Sequence, residues 1–82
     1  NRPKKDGEKR LIFIDYAFAN TTSNSKNDNS VIGCMSVIFR DDGRTLREVD
    51  YIGTHPAGDS IGFNLKIREF FFDYQADYIV LD

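Results

Sequence analysis

The sequence predicts an α/β fold: a mixed sheet with elements in the order strand, strand, strand, helix, strand. Three observations carry this. Two apolar β-rich runs, LIFID and YIVLD, lie far apart in the chain and each ends in aspartate. Between them, Val31–Phe39 and Thr45–Gly53 flank a turn signal. Phe63, Ile67, Phe70, Phe71 and Tyr74 recur at helical spacing, forming one broad apolar stripe.

The 82 residues suffice for one small domain or a piece of a larger one. The chain does not begin with Met and stops on an apolar strand, so it reads as part of a longer domain. A net charge of −2 argues against strong phosphate-driven binding by this segment alone. A single cysteine excludes an internal disulfide and fits a reducing compartment. Cys34 lies in an apolar run and reads as a small buried hydrophobe rather than a nucleophile. No stretch approaches the ~20 apolar residues of a membrane span. The charged start lacks the apolar segment of a signal peptide.

Asn1–Arg10 is polar and mixes five basic with two acidic residues, so 1–10 reads as a linker entering a domain over 11–82. Leu11–Phe18 is the first strand. It is apolar on both faces, which predicts a central strand covered on both sides. Asn20–Ser30 is wholly polar and too long for a tight hairpin. Val31–Phe39 is the second strand. Asp42-Gly43 marks the turn into the third, Thr45–Gly53, whose alternation suits an edge position. Its Glu48 and Asp50 read as surface charges. His55–Gly58 is a connector, and lone His55 reads as a loop residue more readily than as a base or ligand. Asp59 or Ser60 caps a helix over Ile61–Tyr74. Ala76–Asp82 is the fourth strand. A helical crossover returns it parallel to an earlier strand, and the doubly apolar first strand is the natural neighbour.

That pairing carries the chemistry. In matching register Asp15 and Asp82 come level on strands ~4.8 Å apart. Two carboxylates that close repel each other, and a divalent cation relieves the repulsion. Oxygen-only ligands favour Mg²⁺ or Mn²⁺. A carboxylate inside a buried strand also has to be neutralised. The rival readings are that Asp15 pairs with an arginine or caps a turn, and that Asp82 is only the first residue after a strand.

The β-β-β-α-β order with these aspartates resembles the ribonuclease H-like nucleases. More narrowly, FIDYAFANTTSNSKNDNSVIG, DYIGTHPAGDSIG and REFFFDYQADYIVLD look like the nuclease domain of the large terminase subunit of tailed bacteriophages and prophages. The resemblance implies the first half of such a domain over 11–82, truncated before its remaining elements. It implies a two-metal-ion endonuclease that cuts concatemeric viral DNA during packaging. Asp15 would bridge two Mg²⁺ or Mn²⁺ ions and Asp82 would bind one. The Asn20–Ser30 loop would lie near the DNA, with Asp28 a candidate outer participant. The implied partners are double-stranded DNA, the small terminase subunit and the portal protein, in the bacterial host cytoplasm, with no membrane.

The family's third acidic ligand falls after a further strand and helix, beyond Asp82. No G-x-x-x-x-G-K-[ST] loop occurs, so the packaging ATPase is not in this stretch. The chain by itself is therefore expected to bind metal weakly and cleave poorly or not at all. One helix covers one sheet face, so the other is expected to drive self-association or to be covered by further chain. Two other readings remain. One is a ribonuclease H-like nucleic-acid-binding module without catalytic activity. The other is an actin-like ATPase, disfavoured because the loop after the first strand lacks glycine.

Overall fold

The computed structural model describes residues 3–16 and 29–82. It is a small α/β protein with elements β1 (Glu8–Asp15), β2 (Asn29–Phe39), β3 (Thr45–Pro56), α1 (Ser60–Asp73) and β4 (Tyr78–Leu81). The sheet order is β3-β2-β1-β4. β1 and β3 both pair antiparallel with β2, while β4 pairs parallel with β1. The crossover therefore sets the last strand beside the first, as the apolar pattern predicts.

Boundaries shift where polar residues are sheet residues. β1 starts at Glu8, so Glu8–Arg10 of the stretch read as linker is strand. β3 runs on to Pro56 and takes in His55, which had read as connector. The Asn20–Ser30 loop, with Asp28, lies outside the described residues except for Asn29 and Ser30, which open β2.

The β2–β3 turn is closed by the Gly43 amide donating to the Arg40 carbonyl (3.1 Å) and the Arg40 amide to the Arg44 carbonyl (2.9 Å). Gly43 has φ +84°, which glycine adopts without a Cβ penalty. Asp59 caps α1, its Oδ1 accepting from the Gly62 amide at 3.0 Å. The helix ends in a Schellman motif: the Ala76 amide donates to the Phe71 carbonyl and the Gln75 amide to that of Phe72, with Gln75 at φ 57°.

The core lies between α1 and one sheet face. Ile12, Ile14, Ile32, Cys34, Phe63 and Ile67 are buried, and Tyr16, Phe70, Phe71, Tyr74 and Ala76 pack against them. The helical stripe read from the sequence is this inner face of α1. Burial raises the Cys34 thiol to about 11, with the Asp50 charge adding to the shift, so the thiol stays protonated and unreactive. Glu48 and Asp50 are exposed as expected, yet Asp50 also accepts a hydrogen bond from the Tyr74 hydroxyl.

Among the described residues, β1 is covered on one face only. α1 covers the face carrying Ile12 and Ile14. On the opposite face Leu11 is buried and Phe13 is half-buried. The Phe13 ring lies on Gly33, where a Cβ would stand 1.8 Å from its Cζ, so glycine is what seats the ring. Asp15, at the open end of that face, is exposed. The desolvation cost anticipated for it does not arise.

The far end of β1 holds a polar cluster that the hydrophobic pattern does not reveal. Arg10 and Glu8, 1% and 5% exposed, form an ion pair of 2.7 Å. Arg10 also donates to the Tyr74 carbonyl (2.8 Å), and its guanidinium lies 4.8 Å from the Tyr74 ring centroid. Asp77 stitches β4 to β1: its amide donates to the Arg10 carbonyl (2.7 Å), and its carboxylate accepts from the Arg10 amide (2.9 Å) and Lys4 (2.9 Å).

Those bonds hold the Asp77 carboxyl below the usual carboxylate range, the Arg10 amide contributing most. Asp59 is likewise lowered, chiefly by its hydrogen bond with His55 and then by the Gly62 amide. A carboxyl depressed in the folded state stabilises fully above its unfolded pKa of about 4. That stabilisation is lost as pH falls through the folded value. The melting temperature is therefore expected to fall on acidification from pH 5 to pH 2.5. Asp77→Asn should flatten that dependence, as thermal melts across the range would record.

Candidate functional site

The site is built by register. Leu11, Ile12, Phe13 and Ile14 of β1 pair in step with Tyr78, Ile79, Val80 and Leu81 of β4. The next step brings Asp15 beside Asp82, and the Asp82 amide donates to the Ile14 carbonyl at 3.0 Å. Strands alternate their side chains, and Ile12 and Ile14 face α1. Asp15 and Asp82 therefore both belong to the helix-free face, at the carboxyl ends of two adjacent parallel strands.

There they line one open cleft of about 450 Å³. Phe13, Ile14, Val31, Val80 and Leu81 share it. Val31 is the β2 partner of Asp15. The donor set is thus two carboxylates on an apolar floor. Neither makes an ion pair among the described residues, so the arginine-paired alternative finds no support there. Adjacent strands hold the pair near 4.8 Å apart at the backbone. Such a pair suits a hard divalent cation, which takes oxygen ligands and fills its remaining positions with water. Among the described residues, no group of three or more acidic, His or Cys side chains comes together. Two carboxylates fit one loosely held ion; a second ion needs further ligands.

The opposite side of the same sheet end is also organised, which the sequence reading missed. The Tyr16 hydroxyl donates to Asn64 Oδ1 of α1 at 3.1 Å. The Tyr16 ring meets Phe63 edge-on at 5.3 Å. His55 stacks on the other flank of Phe63 at 5.4 Å, and its Nε2 lies 2.9 Å from Asp59 Oδ2. Tyr16 anchored on the helix side fixes the rotation of the strand end, and alternation then turns Asp15 to the other side. His55 sits two strands from Asp15 and on the opposite face, so its role is to brace the start of α1. The signal for this cluster was three-dimensional: Tyr16 read as one more apolar strand residue.

No helix among the described residues is long and apolar enough to cross a membrane. Comparison with protein-family models, curated proteins and solved structures finds no match to this chain.

Proposed function

We propose that the chain is the first half of a ribonuclease H-like, metal-dependent DNA endonuclease of the phage terminase large-subunit type. Its Asp15 and Asp82 would hold Mg²⁺ or Mn²⁺. The observation that carries the reading is the level placement of these two aspartates on adjacent parallel strand ends, lining one solvent-open cleft. The strand order β3-β2-β1-β4, with a helix between β3 and β4, is compatible with that fold.

In this reading Asp15 and Asp82 would hold the cation, which when bound would supply charge neutralisation at a phosphodiester and an activated water. Phe13 and Val80 form an apolar floor that strengthens electrostatics beside the acids. Double-stranded DNA is the substrate, with the small terminase subunit and portal protein as partners in the host cytoplasm. Two ions require ligands beyond this pair, so the chain by itself is expected to bind one ion weakly and to cleave little. The alternative reading is a nucleic-acid-binding module of the same fold without catalysis.

Isothermal titration with Mn²⁺ tests the site. Saturable binding is expected in the wild type and at least tenfold weaker binding in Asp15→Asn and Asp82→Asn. Equal affinity in all three proteins would remove the metal reading. Nicking of supercoiled plasmid that depends on Asp15 separates the nuclease from the non-catalytic module.

A further inference from the structure

The helix-free face has a definite composition. Register and alternation give it Lys9, Leu11, Phe13 and Asp15 from β1, and Val31, Met35, Val37 and Phe39 from β2. β3 adds Arg47, Val49 and Ile52, and β4 adds Tyr78, Val80 and Asp82. Much of the apolar surface is wet: Ile52 is 61% exposed and Phe39 57%, with Val49, Tyr78 and Val80 also exposed. An apolar face of this kind marks an interaction site.

Among the described residues, its charges are sorted by end. Lys9 and Arg47 flank Val37 at one end, in register with it on either side. Asp15 and Asp82 close the other end. Lys9 is near enough to Asp77 to help lower its pKa, but neither Lys9 nor Arg47 makes an ion pair among the described residues. From Lys9 to Asp15 is six residues, about 20 Å along the strand.

We propose that this face docks a second copy of the chain, the two sheets packing face to face with strands reversed, so that the basic end of one copy lies over the acidic end of the other. A two-fold axis across the strands sets β1 over β1 and brings Lys9 opposite Asp15, with Arg47 and Asp82 to either side. The alternative two-fold, along the strands, stacks like charges at both ends and is disfavoured. Sheets packed this way sit about 10 Å apart, which lets the apolar side chains interdigitate and the long basic side chains reach the carboxylates. From Val31 to Phe39 the face is about 26 Å long, and about 14 Å separates its outer strand axes. That footprint belongs with small interfaces, so the dimer is weak, in the micromolar range. The proposal does not rest on the metal reading and competes with it, because in the dimer Lys9 of one copy lies over the Asp15–Asp82 cleft of the other.

Sedimentation velocity of the 82-residue chain tests it, with folding of each variant confirmed by circular dichroism. The wild type should dimerise in the micromolar range and weaken about tenfold between low and high salt. Lys9→Glu/Arg47→Glu and Asp15→Lys/Asp82→Lys should each be monomeric, since each sets like charges at both ends. All four positions are exposed. An equimolar mixture of the two variants should dimerise again, because one then carries only acidic ends and the other only basic ends. A wild type that stays monomeric at several hundred micromolar overturns the proposal and assigns the face to another occupant. So does a dimer that survives in both charge-reversed variants, or a mixture that fails to associate.

Discussion

Glu8→Ala is expected to cost the fold about 3–5 kcal/mol, measured as a shift in the urea midpoint at unchanged slope. The guanidinium of Arg10 is 1% exposed and its 2.7 Å bond to Glu8 supplies the opposite charge. Without the carboxylate, the buried cation loses its opposite charge, and the Tyr74 carbonyl and ring it retains are neutral. A single domain has about 5–15 kcal/mol in total, so a chain this small should be largely unfolded near room temperature. Arg10→Ala should cost a comparable amount, because it strands Glu8 in the same pocket and frees the Tyr74 carbonyl at the end of α1. The double change Glu8→Leu with Arg10→Met should cost clearly less than either single change, since no charge then remains buried. If the double variant is instead the least stable of the three, the pair contributes net stability and not merely mutual dependence.

Phe63→Ala should be about as severe, about 3–5 kcal/mol, through the cavity it leaves. Phe63 is 1% exposed and is flanked by the Tyr16 and His55 rings at 5.3 and 5.4 Å. It is the keystone of the sheet end that carries Asp15. Phe63→Leu retains much of the volume and should cost less than half as much. In that milder variant the Tyr16 ring loses its edge-on partner. Mn²⁺ affinity should therefore weaken even where the chain remains folded. Thermal melts give the first number and metal titration the second.

The sheet pairing was legible because two apolar runs of equal length each end in aspartate. A crossover helix leaves few places for the second run, and β4 takes the one beside β1. The stripe Phe63–Tyr74 and its Asp59 cap were likewise local signals, and both stand. The start of β1 was not legible. Glu8 and Arg10 look solvated in a charged stretch, and only the return of α1 and Asp77 against them turns them into a buried cluster. The exposure of Asp15 was misjudged for a related reason. Greasy neighbours on both faces suggested two covering layers, whereas the described residues provide one. Tyr16 gave no warning of its role, because the strand pattern counts it as another aromatic and its partner Asn64 is 48 positions away.

β4 has just four residues, all of them exposed, and among the described residues only β1 holds it along its length. One half of the carboxylate pair thus rides on the segment that breathes most readily. Amide protons along β4, Asp82 among them, should exchange with solvent sooner than those shared by β1 and β2. Mn²⁺ clasping both strand tips should slow that exchange, so deuterium uptake offers a view of ion capture without any substrate.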